Sequence, residues 1–253
     1  MRIRLFFCVM LGFTAQVSAQ DCVILLHGMG RTHHSMSLIE DRLKKDGYLV
    51  WNKSYPSTSR RIESLAEEAI GPGLAFCASH QAHQSHFVTH SLGGILLRYY
   101  LQHRRVPGLG RIVMLSPPNH GSEIADWLKD NYLYQKFMGP AGQELGTDAG
   151  SLPQQLKPVD AEVGIIAGDS SSDPWFSPMI PGNDDGKVSV QSTRLKEMQD
   201  FIVVGSGHSF IMRNSDAIRQ IRHFLKTGCF IHTTNTGPAI SGNGCGTKAR
   251  GKK

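Results

Sequence analysis

The 253-residue chain has no apolar run long enough to cross a bilayer, and the one near its start is short and asymmetrically charged. Arg2 and Arg4 precede apolar Leu5 to Phe13, and Val17-Ser18-Ala19 supplies the small-x-small pattern that signal peptidase accepts. This predicts a signal peptide over residues 1–19, cleaved after Ala19, and an exported protein, periplasmic or secreted. Cys8 lies inside the apolar run with no small-residue pair before a cysteine at the cleavage point, which argues against a lipoprotein anchor. Basic charge is also scarce where it would matter. The net charge of +6 includes Arg2 and Arg4 in the leader and Lys248, Arg250, Lys252 and Lys253 near the end, so the body between is close to neutral. A nucleic-acid groove is therefore not expected.

Cysteine is sparse, at five, and removal of Cys8 leaves Cys22, Cys77, Cys229 and Cys245. An even number in an exported protein suggests disulfides. Cys22 opens one apolar run and Cys77 lies just before another. If those runs are neighbouring parallel strands, both sulfurs share one sheet edge, which favours Cys22 with Cys77 and leaves Cys229 with Cys245. His80, His83 and His86 lack a cysteine or carboxylate that would complete a metal site and read as an exposed segment, so no metal and no cofactor is expected. Past Phe230 the chain turns to Thr, Asn, Gly and Lys, too polar to offset the entropy of ordering, which predicts a flexible basic tail over 233–253.

What is present between residues 20 and 232 is an alternation of short apolar runs with amphipathic segments. Strands are predicted at Val23 to Leu26, Tyr48 to Trp51, Phe87 to Thr89, Ile112 to Leu115, Val163 to Ala167 and Phe201 to Val204. Met36, Ile39 and Leu43 share a helical face that Gly47 closes, with Ser37 and Glu40 in a capping-box pattern. Ile62, Leu65, Ala66 and Ala69 give a second helix, expected to break at Gly71-Pro72-Gly73. Leu92, Ile95, Leu96, Tyr99 and Tyr100 share the face of a third. The last helix starts near Asn214 or Ser215, buries Ile218, Ile221, Phe224 and Leu225, and stops at Gly228. Such alternation implies an α/β domain with a mostly parallel sheet flanked by helices. Residues 119–160, with Trp127, Tyr132, Tyr134, Phe137 and Met138, are too many for a plain connection and read as a lid-like insertion or a packed extra helix.

The chemistry is concentrated in a few stretches. In FVTHSLGG a serine, Ser91, stands between a strand and a helix, with Gly93 and Gly94 behind it. A serine hydroxyl is a weak nucleophile unless a base, a group orienting that base and donors for an oxyanion converge on it, and a tight strand-to-helix turn exposes it to them. THSLGG resembles the nucleophile elbow of the α/β-hydrolase superfamily, with Thr89 in place of its first glycine. HGMG, His27 to Gly30, resembles the oxyanion loop of bacterial lipases, and Ser116 to Trp127 the segment leading into their lid. The resemblance implies a compact α/β-hydrolase fold lacking the two leading strands of larger members. It further implies the order serine, acid, histidine.

By that resemblance Ser91 is the nucleophile, the N–H groups of Met29 and Leu92 form the oxyanion hole, and His208, in a loop before the last helix, is the base. Asp185, in a D-G-x-V pattern, is the favoured acid. Asp169, directly after a strand, is the alternative acid; Asp173 and Asp184 are further candidates. His120 precedes any acid in the expected order, and His33 and His34 stand beside the oxyanion loop. The expected function is a serine hydrolase, an esterase or lipase cleaving carboxylic esters through an acyl-enzyme. Its expected partners are an ester or acyl-lipid substrate and, transiently, a lipid surface, with the protein a monomer. Acyl transfer or amide cleavage by the same triad, and a non-catalytic binding module on a hydrolase scaffold, are the rival readings.

Overall fold

The computed structural model describes residues 20–171 and 175–232. The predicted signal peptide, the predicted tail, Cys245 with its expected pairing to Cys229, and Asp173 lie outside the described residues.

Six parallel strands form one sheet in the order β2-β1-β3-β4-β5-β6. They are β1 (Cys22–Leu26), β2 (Leu49–Asn52), β3 (Ser85–His90), β4 (Leu109–Leu115), β5 (Val163–Gly168) and β6 (Asp200–Val204). All coincide with the predicted runs to within a few residues. Along β1 alternate side chains face opposite sides of the sheet. Cys22, Ile24 and Leu26 join a core beneath α2 (Ile62–Ser79) and α3 (Leu92–His103). Val23 and Leu25 join a second core beneath α1 (Ser37–Lys45) and α7 (Ser215–Thr227). Burial on both faces is why the strands read as continuous apolar runs.

Two expectations about the helices fail. The capping box does not form: Ser37 Oγ donates to the His34 carbonyl, and Glu40 accepts from Lys44 and from Asn52 at 2.7 Å. A 3₁₀ turn, His33–Met36, leads into α1 instead. Nor does α2 break at Pro72, which lies inside a helix of 18 residues. The missing Cβ of Gly73 lets α2 lie directly on the sheet, since a methyl there would come within 2.9 Å of Trp51 and 3.0 Å of Ile24. That contact and the packing of Leu74, Phe76 and Cys77 offset the one ladder bond that proline removes.

The end of α2 is tied to the start of β1 by a disulfide between Cys22 and Cys77, whose Cα atoms are 5.7 Å apart. His86 is buried in β3 rather than exposed, and Asp21 lies near both His83 (3.4 Å) and His86 (3.5 Å). Among the described residues no cluster of histidine, cysteine and carboxylates has the geometry of a metal site, and no helix is long and apolar enough to cross a membrane.

Between β4 and β5 the insertion folds as α4 (Glu123–Leu128), α5 (Tyr132–Gln143) and α6 (Leu152–Gln155). Buried Arg98 on α3 holds both of its ends, donating to the carbonyls of Asn119 at 2.9 Å and Leu156 at 3.0 Å. Its α4–α5 hairpin leaves Trp127, Tyr132, Leu133 and Phe137 exposed.

Candidate active site

In a parallel sheet every strand ends at the same edge, and here the loops after β1, β3, β4, β5 and β6 all open there. Ser91 occupies the turn between β3 and α3 with φ 52° and ψ −121°, a conformation few residues other than glycine adopt. The turn is this tight because α3 sits almost on β1. A methyl on Gly93 would lie 2.7 Å from the Leu26 carbonyl oxygen. The Ser91 N–H is held by the Leu115 carbonyl at 2.9 Å, and its hydroxyl is left at the head of α3.

His208 follows β6 in a loop and is largely buried. Its Nε2 is 2.9 Å from Ser91 Oγ and its Nδ1 is 2.8 Å from Asp185 Oδ2. The acid requires Nδ1–H to donate, which leaves Nε2 to accept the serine hydroxyl. Asp185 sits in a turn closed by Gly186 at φ 94°, and its other oxygen accepts from the N–H groups of Lys187 (3.1 Å) and Val188 (3.0 Å). Burial works against its charge. The nearby His208 and hydrogen bonds from His208, Ser116 and Val188 outweigh that penalty and hold the carboxyl below the usual range.

Of the other candidate acids, Asp169 and Asp184 are not brought to His208. Asp169 is exposed, with its carboxylate accepting from the Ser170 hydroxyl, and Asp184 accepts from Ser177 and from the Gly186 N–H. His120 is exposed, and His33 bonds Ser54 beside the loop after β1.

That loop, His27 to Gly30, packs against the turn. His27 is buried, stacked on Tyr55 at 4.0 Å, and its carbonyl accepts from the Tyr55 hydroxyl. Gly28 faces the Ser91 side chain, where an added methyl would lie 3.3 Å from the Ser91 Cβ. Met29 follows, and Leu92 opens α3, where the first N–H groups of a helix have no partner within it and carry its positive end. This arrangement suits a developing negative charge at the serine.

Sequence patterns did not single out four contributors. Ser116, at φ 44° after β4, donates to Asp185, and its hydroxyl accepts from the Gly168 N–H at 3.3 Å. Ser122 Oγ and Ser192 Oγ lace the insertion's first residues to the acid loop through the carbonyls of Lys187 and Gly121. His90, beside Ser91, bonds the His208 carbonyl at 3.0 Å. A histidine inside the elbow motif was the one available signal.

No family model and no curated protein matches the chain. Solved structures do. A Bacillus licheniformis lipase in its mature form aligns at TM-score 0.65 with 16% identity, over 84% of this chain and 93% of that one. A Pyrococcus furiosus esterase aligns at 0.52 with 16% identity, over 82% of each chain. A Legionella pneumophila phospholipase aligns at 0.54 with 19% identity, over 69% of this chain, which spans less than half of it, 46%. Identities this low carry architecture and not activity. In its parallel sheet, its strand-to-helix elbow and its likeness to these structures, the chain has the α/β-hydrolase fold.

Proposed function

We propose that the protein is a serine hydrolase of carboxylic esters, with Ser91 as nucleophile, His208 as base and Asp185 as the acid that orients it. The observation that carries this reading is the unbroken line of hydrogen bonds from Ser91 Oγ through His208 to Asp185, at 2.9 and 2.8 Å. His208 takes the serine proton as Oγ attacks the ester carbonyl carbon, and Asp185 stabilises the imidazolium that forms. The N–H groups of Met29 and Leu92 receive the oxyanion. Collapse of the tetrahedral intermediate expels the alcohol, protonated by His208, and leaves an acyl group on Ser91. Water, deprotonated by His208, then releases the acid. All these groups come from one chain, so a monomer suffices, and no cofactor takes part.

The acyl-lipid part of the proposal draws on the insertion, where Trp127, Tyr132, Leu133 and Phe137 are 63%, 71%, 59% and 65% exposed. Apolar exposure of that kind on a few adjacent helical turns suits contact with a lipid surface or a long acyl chain. The Cys22–Cys77 disulfide supports an oxidising, exported setting.

A fluorophosphonate probe tests the chemistry directly: the wild type should be labelled at Ser91, and Ser91→Ala should not. An unlabelled wild type sinks the hydrolase reading. Asp185→Asn should lower kcat by about ten-thousand-fold while Asp169→Asn stays within a few-fold of wild type, and the opposite result would move the acid to Asp169. With nitrophenyl esters of rising acyl length, a steady fall in rate would remove the lipid and leave a short-chain esterase.

A further inference from the structure

His90 has no step in the proposed reaction, yet its imidazole reaches two parts of the site. It is 2% exposed. Its Nε2 bonds the carbonyl oxygen of His208 at 3.0 Å, and the two rings lie 5.0 Å apart with planes inclined by 48°. On another side it supports the loop after β1, where a methyl on Gly28 would fall 2.6 Å from His90 Nδ1. That loop lies over the imidazole only because residue 28 has no side chain.

The proton on His90 can be assigned. A carbonyl oxygen only accepts, so Nε2 carries the hydrogen, and in the neutral ring Nδ1 is a bare acceptor. Nδ1 is buried and has no hydrogen-bond partner among the described residues. A second proton there would find no acceptor and would place a cation beside His208, the group that becomes positive in the reaction. The charged and titratable groups acting on His90 are His208, Asp185 and Arg31. Burial, reinforced by His208, pushes the His90 pKa well below the ordinary histidine value.

We propose that His90 is a positioning residue for the base, fixing the His208 main chain through its Nε2–H. The His208 N–H is already held by the Asp185 carbonyl at 2.8 Å. With its carbonyl held by His90, the residue is clamped on both sides, and its imidazole is aimed at Ser91 and Asp185. The inference rests on the roles given to Ser91, His208 and Asp185.

The test compares His90→Gln with His90→Asn. Both side chains are neutral and polar, but the glutamine amide nitrogen reaches about as far as Nε2 and the asparagine one falls short. With nitrophenyl butyrate, His90→Asn should lose about 100-fold in kcat at unchanged KM, the scale of a misplaced catalytic group, and His90→Gln should recover at least tenfold of it. Fluorophosphonate labelling rates should follow the same order. Equal loss in both variants, wild-type turnover in His90→Asn, or melting of both below the assay temperature would overturn the proposal, the last because the histidine would then serve the fold alone. An unlabelled wild type would instead overturn the parent reading.

Discussion

Thr89 stands where the elbow pattern has glycine, and the room for it comes from the helix opposite. The missing side chain of Gly94 is what it packs against, since a methyl there would lie 3.4 Å from Thr89 Oγ1. Thr89 is fully buried, and its hydroxyl has no hydrogen-bond partner among the described residues. An unpaired buried hydroxyl costs about 1–3 kcal/mol, so the isosteric Thr89→Val should be more stable. Calorimetry should show a melting temperature raised by roughly 2–8 °C with ester hydrolysis retained, and a lowered one would mean that the hydroxyl is paired in solution. At this scale Ser91, His208 and Asp185 were legible because each stands in a short pattern whose chemistry is local: a turn, a loop after a strand, a D-G turn. His90 and Ser116 were not. The contact of His90 joins residues 118 apart, and no local pattern encodes such a meeting.

The strands and most helix faces could be read in advance because periodicity sums over many residues. The expected capping box and the expected break in α2, each resting on two or three residues, fared worse. Gly71-Pro72-Gly73 signals a break, and tertiary packing of α2 on Trp51 and Ile24 overrides it. The insertion's extent was legible and its attachment was not. Within α5 the chain kinks at Gly139, at φ 62° and ψ −166°, where a methyl would lie 1.6 Å from the Thr58 carbonyl oxygen. Only glycine allows this approach, which pins the insertion to the body of the domain. Gly139→Ala should therefore release the hairpin. Trypsin should cut after Lys129 or Lys136 faster in the variant, while α7 stays protected, and unchanged cleavage would show that the insertion is held elsewhere.

Across the whole molecule, the cores on both faces of the sheet bury His27, His86 and His90 besides His208, and for these three burial is the leading cause of a lowered pKa. The unfolded chain takes up protons at these groups near the ordinary value of 6.5, and the folded one only at lower pH. Stability is therefore full above about 6.5 and falls as the medium acidifies through the lowered folded values. Asp185 acts in the same direction, but only below its ordinary 3.8. Urea midpoints should drop between pH 7.5 and pH 5.5, with a shallower slope in His90→Gln, and a flat profile would contradict this. The separation of the proposed nucleophile and base along the chain bears on synthesis as well. Ser91 and His208 lie 117 residues apart, and the chain is made from its N-terminus. On the proposed mechanism the serine emerges during synthesis long before the histidine that activates it, so an unfinished chain would be chemically silent towards the esters of the cell that makes it.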